Sequence, residues 1–295
     1  MAKVKRPQGR NQQPRQQNQQ RQKGRPKQRA YVRQRPWWST PWAMAAVVVA
    51  LLVVVGGFLV WGNVFQQAPQ KPRNDAQIIR QVTHVSPGVY DQVPPQSLTL
   101  HKIPGASVTK SPDGKVEFLY MGAEFCPYCA AERWSIIAAL SRFGTFSGLQ
   151  LTTSAGAPEA YPNTPTFSFR NEKYTSDAVT FTSVELTDRD HNTLQTPTPQ
   201  EQATMNQLDS TGSIPFMVVG GQYTNTAGPG YQVDVLQGQS WSDIAGNLSN
   251  PSAASTKAIL GEANMLTAAI CETNGGTPSN VCQSTAVKKA EAKLQ

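Results

Sequence analysis

Residues 115–134 read KVEFLYMGAEFCPYCAAERW and contain the strongest structural signal in the chain. The first seven residues predict a strand, because they combine β-branched, aromatic and apolar side chains. Cys126 and Cys129 follow closely, and Pro127 between them suits the first turn of a helix, where its missing N–H needs no partner. A helix is expected from Ala130 to Phe143, which has an apolar stripe. The cysteine pair is therefore expected where a strand gives way to a helix.

This placement favours thiol chemistry. The free amides and the dipole at a helix N-terminus stabilise an anion, so the thiol pKa of Cys126 is expected to be lowered. Cys129 lies one turn further on, close enough to attack a mixed disulfide on Cys126. The spacing predicts Cys126 as the attacking thiol and Cys129 as the resolving thiol.

Metal binding and a static disulfide are the competing interpretations of the pair. Zinc would need two further ligands, and a copper-carrying site would need a similar addition. A static bridge across a two-residue spacer at a helix start would be strained and reducible. We therefore expect no metal and no cofactor. The histidines show no ligand pair at helical spacing: His84, His101 and His191.

The first 40 residues differ in charge from the rest of the chain. They contain 12 of the 27 Lys and Arg and none of the 19 Asp and Glu, so the remainder carries net −4 although the whole chain carries +8. The segment is too polar to bury a core, which predicts a disordered basic tail over residues 1–40. Its cations could meet RNA or anionic lipid, but it has no nucleic-acid motif, so no specific nucleic-acid partner is expected.

An uncharged run over residues 42–61 follows the tail. At about 1.5 Å per residue it spans the roughly 30 Å hydrocarbon layer, and Trp at both ends fits interfacial aromatic belts. The alternatives are a buried core helix or a cleaved signal peptide, for which the run is long and lacks a clear cleavage site. We predict a retained signal anchor, with a transmembrane helix over residues 41–62 in the lipid bilayer.

The basic tail also predicts the orientation of the chain. Cations concentrate on the cytoplasmic side of a membrane span, so the N-terminus is expected in the cytoplasm. After a linker over residues 63–74, residues 75–285 are expected to form an extracytoplasmic domain, with residues 286–295 as a C-terminal tail. The predicted localisation is the cell membrane, with a single pass. Disulfides persist in that outer compartment.

From residue 75 onward, strand-like and helix-like stretches are interspersed, which predicts one α/β domain. The predicted helices are 75–85, 130–143, 198–208, a helix capped by Ser240, and one running through 259–270. The predicted strands are 115–121, 149–154, 165–170 and 178–186, together with a short buried strand that runs into a Gly-Gly turn within 214–223.

The other two cysteines, Cys271 and Cys282, bracket a loop with turn-forming residues. A disulfide closing it would stabilise the domain by about 3 kcal/mol on the chain-entropy model. The functional alternative is a second redox pair that relays electrons to the first. A structural disulfide is favoured, because this spacing activates neither thiol at a helix start.

The stretch Ala123–Cys129, with its strand before and helix after, resembles the active site of the thioredoxin superfamily, and its Pro-Tyr dipeptide resembles that of glutaredoxins. Ile214 and Pro215, before a buried strand and a Gly-Gly turn, resemble the cis-proline loop of that superfamily. The resemblance implies that this loop faces the cysteines, with Pro215 shaping the substrate groove and the Ile214 backbone pairing with the substrate.

A longer stretch, residues 115–146, resembles a more particular family. It includes Glu132-Arg-Trp and Ser141-Arg-Phe-Gly-Thr-Phe, and it is similar to membrane-anchored thioredoxin-like proteins grouped as domain of unknown function 929. The likeness covers roughly residues 75–285.

Two features depart from the thioredoxin pattern. Thioredoxins carry a buried acid six residues before the first cysteine, where this chain has Tyr120, which favours oxidase or isomerase action over reductase action. From Cys126 to Pro215 is 89 positions, more than a minimal thioredoxin needs. An insertion is therefore expected over about residues 148–200.

The expected fold is α/β, thioredoxin-like, with an insertion between the active-site helix and the cis-proline strand, preceded by one transmembrane helix. The expected function is a membrane-anchored extracytoplasmic thiol–disulfide oxidoreductase. Its partners would be client protein thiols or disulfides and a membrane or extracytoplasmic recycling partner. The alternatives are a non-enzymatic thioredoxin-like binding or assembly module and a copper-handling thiol chaperone.

Overall fold

The computed structural model describes residues 74–226 and 228–294, together with helical residues at positions 45, 49 and 51–53. The predicted basic tail, the linker up to residue 73 and most of the predicted transmembrane helix lie outside the described residues. Among those described, no helix combines the length and apolar content needed to cross a bilayer. The folded domain belongs to the compact unit Lys71–Gln295.

The domain interleaves helices and strands. The helices are α1 (Asp75–Thr83), α2 (Pro87–Gln92), α3 (Pro127–Leu140), α4 (Pro199–Leu208), α5 (Trp241–Asn247), α6 (Ala254–Asn274), α7 (Ser279–Cys282) and α8 (Thr285–Glu291), with a 3-10 turn at Val233–Leu236. The strands are β1 (Leu100–Lys102), β2 (Val116–Gly122), β3 (Gly144–Ser147), β4 (Gln150–Thr153), β5 (Pro165–Ser168), β6 (Lys173–Ser176), β7 (Val179–Glu185), β8 (Phe216–Val219) and β9 (Tyr223–Asn225).

A mixed five-stranded sheet forms the centre, with strand order β1-β9-β8-β2-β7. β2 is parallel to β7 and antiparallel to β8, so it lies inside the sheet. β9 is antiparallel to both β8 and β1. The chain leaves β2, forms α3 and returns to the same sheet as β7. The α/β prediction is confirmed.

Both faces of the sheet are covered. Successive side chains of a strand point to opposite faces, so β2 supplies residues to two cores. Phe118 and Tyr120 belong to the main core, together with much of α3 and α6. Met121 packs on the other side with Phe216 and with Met205 from α4.

Helix α3 lies within the main core. All residues from 129 to 140 are buried, the pattern of a helix enclosed on every side. Trp134 donates its indole N–H to the carbonyl oxygen of Pro165 at 2.9 Å. Its ring packs edge-on against Phe167, with centroids 4.7 Å apart. These contacts fix the position of α3, and with it the cysteine pair at its start.

The chain reverses between β8 and β9 at Gly220 and Gly221. Their φ angles are +57° and +69°, which favour glycine because a side chain would clash. A Cβ on Gly221 would also lie 1.7 Å from the hydroxyl oxygen of Thr109. The sequence predicts a short buried strand that runs into a Gly-Gly turn within 214–223, and the structure confirms both: β8 ends at Val219, and the two glycines turn the chain into β9.

Two boundaries differ from the prediction. The proposed insertion over residues 148–200 contains β7, which pairs with β2 along its whole length, so part of that segment belongs to the central sheet. The separate two-stranded sheets are β3–β6 and β4–β5. The predicted tail over 286–295 contains most of α8, where Ala286, Val287 and Ala290 are fully buried. The folded domain therefore continues beyond residue 285.

Cys271 and Cys282 are joined by a disulfide. Both lie in helices rather than in a loop, Cys271 in the last turn of α6 and Cys282 at the end of α7. Gly275 ends α6 in the left-handed conformation with φ +82°, which reverses the chain toward α7. The bridge lies in the main core, whereas Cys126 and Cys129 form a separate cluster.

We expect the double variant Cys271→Ser/Cys282→Ser to lose about 3 kcal/mol of unfolding free energy, since the bridge closes a short loop of the unfolded chain. Urea unfolding without reductant measures this. The reactivity of Cys126 should not change. A variant with full stability but no thiol–disulfide turnover would instead support the relay role for this pair.

Candidate active site

The N-terminus of α3 positions the cysteine pair. Cys126 is the N-cap residue, and its Sγ accepts a hydrogen bond from the backbone N–H of Cys129 at 3.3 Å. Pro127 occupies the first helical turn, where no intrahelical N–H bond is lost. The strand-to-helix junction thus places the sulfur of Cys126 over the free amides of the helix.

Both thiols are free and buried. Cys126 is 4% exposed and Cys129 is 0% exposed. With Ala123 they form a small apolar cluster, against which Phe125 and Ile214 pack. Cys129 therefore lies beneath Cys126, away from solvent.

The two thiols differ in acidity. The hydrogen bond from the Cys129 side chain lowers the pKa of Cys126, and the backbone amides of Cys129 and Tyr128 and the charge of Arg133 lower it further, against the opposing effect of burial. Burial raises the pKa of Cys129 well above its ordinary value. Cys126 is therefore the thiol that ionises first, and the thiolate is the nucleophile in disulfide chemistry.

The segment before β8 faces the pair. The peptide bond between Ile214 and Pro215 is cis. The carbonyl oxygen of Ile214 lies 3.9 Å from the sulfur of Cys126. Asn225 holds this segment in place, because its side-chain amide donates to the Pro215 carbonyl at 2.6 Å and its oxygen accepts from the Met217 N–H at 2.7 Å. The structure thus brings together four residues that the sequence singled out: Cys126, Cys129, Ile214 and Pro215.

Aromatic side chains border the pair. Tyr128, between the two cysteines, is 40% exposed, and its ring meets that of Tyr161 edge-on at 5.9 Å. The ring of Phe125 lies 4.2 Å from that of His191. Tyr161 and His191 come from loops that follow β4 and β7, so these loops extend the surface around the cysteines.

Sequence reasoning assigned no role to a buried ion pair behind the cysteines. Arg133 of α3 and Glu185 of β7 are both 0% exposed, and they pair through Nε–Oε1 at 2.8 Å and Nη2–Oε2 at 2.7 Å. Arg133 lies in the Glu-Arg-Trp stretch of the family resemblance. The available signal was a charged Glu132-Arg133 pair within a largely apolar helix, because buried charges need partners.

Tyr120 lies six residues before Cys126, at the position where the resemblance to thioredoxins implies a buried acid. It is fully buried, and its hydroxyl has no hydrogen-bond partner within the described residues. Burial raises its pKa well above the ordinary value. The phenol is therefore neutral at physiological pH and does not act as a base there.

The described residues include no group of three or more His, Cys, Asp and Glu side chains arranged to hold a metal ion. Two thiols alone would supply half of a tetrahedral zinc site. The chemistry available to the pair as described is that of a dithiol that can close to a disulfide.

Fold and site together define an α/β domain with a reduced cysteine pair at a helix N-terminus. Residues 106–208 match a family described as "Domain of unknown function (DUF929)". The match supports the resemblance to that family, over a shorter range than the expected 75–285. It includes both cysteines of the pair, together with Arg133 and Glu185. No curated protein and no solved structure matches the chain.

Proposed function

We propose that this protein is a membrane-anchored extracytoplasmic thiol–disulfide oxidoreductase that exchanges disulfides with client proteins. The observation that carries the proposal is the geometry of the pair: Cys126 caps α3 with its sulfur 3.3 Å from the N–H of Cys129, Cys129 is fully buried, and the cis Ile214–Pro215 segment faces Cys126. This arrangement lowers the pKa of Cys126 and raises that of Cys129. Exchange needs one thiol that ionises readily and a neighbouring thiol that resolves the mixed disulfide. A structural pair would not require this difference.

We propose a thioredoxin-like fold for the domain. The support is the unit β2–α3–β7, with the cysteines at the start of α3, followed by the hairpin β8–β9 and the long helix α6. The Ile214–Pro215 segment lies against Cys126, as the cis-proline loop of that superfamily would. The segment between α3 and β7 forms the two small sheets β3–β6 and β4–β5. A minimal domain of this kind would lack that segment.

In the oxidising direction, the pair starts as the Cys126–Cys129 disulfide. A client thiolate attacks the sulfur of Cys126, which forms a client–Cys126 disulfide and releases Cys129 as a thiolate. A second client thiolate then attacks the client sulfur of that bond and releases Cys126 as a thiolate. The client loses two electrons and gains a disulfide, and the pair gains two electrons. A separate membrane or extracytoplasmic partner would reoxidise it.

Oxidase or isomerase action is favoured over reductase action. At position 120 a neutral phenol stands where a base could take the proton of Cys129 during client reduction. A stabilised thiolate at Cys126 also favours the dithiol form of the pair, which makes the disulfide form the stronger oxidant.

The proposed location is the cell membrane, with the basic tail in the cytoplasm and the folded domain outside. The charge difference between tail and domain supports this orientation. Protease added outside intact cells should digest the domain and spare the tail. Protection of the domain on intact cells would contradict the orientation.

A mixed-disulfide trap tests the function. Cys129→Ser should accumulate client proteins bound through Cys126, because the Cys126 thiolate can attack a client disulfide and release one client sulfur as a thiolate, while no Cys129 thiol is present to displace the client again. The serine hydroxyl can still donate toward the Cys126 sulfur. Non-reducing gels followed by mass spectrometry measure the trapped species. Cys126→Ser is the matched control and should trap none. Equal, empty traps in both variants would reject the oxidoreductase function.

The competing proposal from another class is a binding or assembly module that has kept the fold. The low exposure of Cys126, 4%, favours it, because a client sulfur needs access to that atom. A copper-handling chaperone is the third candidate, since two adjacent thiols can bind Cu(I), and it predicts stoichiometric Cu(I) on the reduced protein.

A further inference from the structure

The buried Arg133 lies on the same face of α3 as Cys129. The two residues are four positions apart, which places their side chains one above the other on a helix. Arg133 is 0% exposed, so its charge acts in a medium that screens it weakly. The sequence thus places a buried positive charge, Arg133, one helical turn after Cys129.

Hydrogen bonds hold the guanidinium against the backbone of the site. Nη2 donates to the carbonyl oxygen of Ala123 at 2.8 Å, and the backbone N–H of Cys126 donates to that same oxygen at 3.3 Å. Glu185 holds Nε and Nη2 on the side of β7. The guanidinium therefore cannot turn away from the cysteines without breaking several hydrogen bonds.

One donor group of Arg133 remains unused. Its Nη1 is buried and has no hydrogen-bond partner among the described residues. The guanidinium carbon lies 5.8 Å from the ring centroid of Tyr120, whose unpartnered hydroxyl is also buried. A buried N–H without an acceptor is unusual, because the lost hydration is not replaced. The free Nη1 group of Arg133 can therefore serve an anion that forms near it only during part of a reaction cycle.

We propose that Arg133 is a positioning residue whose buried charge stabilises the thiolate that leaves from Cys129 when a client attacks the Cys126–Cys129 disulfide. The inference rests on the proposed function and extends it. The sulfur–sulfur bond breaks, its electron pair stays on the Cys129 sulfur, and the new bond joins Cys126 to the client sulfur. Without a nearby cation, that anion would be released into apolar surroundings, which is costly.

Glu185 sets the strength of this effect. Its carboxylate offsets part of the Arg133 charge, and it also accepts from the Phe169 N–H at 3.2 Å. Removal of the carboxylate charge leaves the guanidinium uncompensated, which favours thiolates. Removal of both charges disfavours them. Loss of the Glu185 charge alone and loss of both charges should therefore shift the redox equilibrium in opposite directions. Structural damage to the site would not produce shifts of opposite sign.

The test measures the equilibrium of the purified full-length protein with reduced and oxidised glutathione. The variants are Arg133→Met/Glu185→Gln and Glu185→Gln. We expect the double variant to favour the disulfide form by about tenfold over wild type, which is about 30 mV for a two-electron couple. Glu185→Gln alone should favour the dithiol form. The pH midpoint for alkylation of Cys126 should rise in the double variant and fall in Glu185→Gln.

The double variant removes both buried charges together, whereas Arg133→Met alone would leave Glu185 as an unpaired buried carboxylate. Glu185→Gln keeps an amide oxygen that can accept from Arg133, and Nη2 keeps its bond to the Ala123 carbonyl. Urea unfolding of both variants establishes that each is folded before its redox equilibrium is compared. Arg133→Lys should retain most of the wild-type equilibrium, because the charge remains. The inference is overturned if the double variant keeps the wild-type equilibrium and midpoint, or if both variants shift the same way. If wild-type protein shows no exchange with glutathione at all, the proposed function itself fails.

Discussion

Replacing Glu262 with Gln should raise the free energy of unfolding at pH 8 relative to wild type, because burial holds the pKa of Glu262 well above its usual value and the folded protein must therefore keep a proton that the unfolded chain releases. Near pH 4 the same change should have little effect. The expected gain comes from a pair of buried carboxyl groups, Glu132 of α3 and Glu262 of α6, which the proposed exchange chemistry does not use.

The two side chains meet at Gly230. The Gly230 N–H donates to Oε2 of Glu132 at 2.9 Å, and a Cβ on Gly230 would lie 1.9 Å from Oε2 of Glu262. Both residues are 0% exposed. Within the described residues, no hydrogen bond reaches either carboxyl oxygen of Glu262 or Oε1 of Glu132. The pair therefore lies in the core with few donors, and among the described residues neither carboxyl group forms an ion pair.

Burial raises the pKa of Glu132 from 4.5 to about 7. Burial and the charge of Glu132 raise the pKa of Glu262 well above 4.5, and the nearby Ser97 hydroxyl, although outside hydrogen-bond geometry, partly opposes this shift. Tyr231, a third titratable group near the pair, stays neutral because burial raises its pKa well above 10. The folded protein therefore retains protons that the unfolded chain releases.

This difference sets the direction of the pH dependence. Stability is full below the unfolded pKa of about 4.5 and falls as pH rises through the raised folded values, because the unfolded state then binds fewer protons. The amide that replaces the Glu262 carboxyl group in the variant does not titrate in this range. The loss of stability between about pH 5 and pH 8 should therefore be smaller in Glu262→Gln than in wild type.

Urea unfolding of the two proteins from pH 4 to pH 8 checks the prediction. Glu117→Gln is the matched control, since Glu117 is an exposed carboxyl on β2. Its profile should follow that of wild type. Parallel profiles for Glu262→Gln and wild type would show that the buried pair does not govern the pH dependence.

The sequence predicted local structure best where one stretch carries the whole signal. The strand over 115–121 and the helix after it match β2 and α3 closely, although α3 begins at Pro127 rather than Ala130. The helix predicted to begin after Ser240 was also visible from a local pattern, since Ser240 and Asp243 form a capping box. In these cases the stabilising contacts lie within a few residues of each other, so the pattern was visible.

Contacts between distant elements could not be predicted in the same way. Arg133 pairs with a residue 52 positions away, and Glu132 meets a glycine 98 positions away. Nothing local identifies the partner of a buried charge. Asn225, which supports the Pro215 segment, was missed for the same reason, because an Asn in a short strand has no distinguishing pattern. The small sheets β3–β6 and β4–β5 likewise depend on pairing across loops.

A second large effect is expected at the cysteine pair. In the reduced protein near neutral pH, Cys126 should be alkylated at least about a hundredfold faster than Cys129, because a helix N-terminus can lower a thiol pKa from about 8.5 to between about 3.5 and 7.5. Burial keeps Cys129 protonated and shielded. The variant Cys129→Ser reports on Cys126 alone, and Cys126→Ser reports on Cys129 alone.

The rate of Cys126 alkylation as a function of pH is the measurement that tests the redox account most directly. The account predicts a single transition with a midpoint clearly below about 8.5 in Cys129→Ser, and only slow reaction of Cys126→Ser over the same range. Iodoacetamide labelling with mass spectrometry provides both rates. An ordinary midpoint near about 8.5, with the two thiols reacting at similar rates, would contradict the oxidoreductase function and leave the binding module in its place.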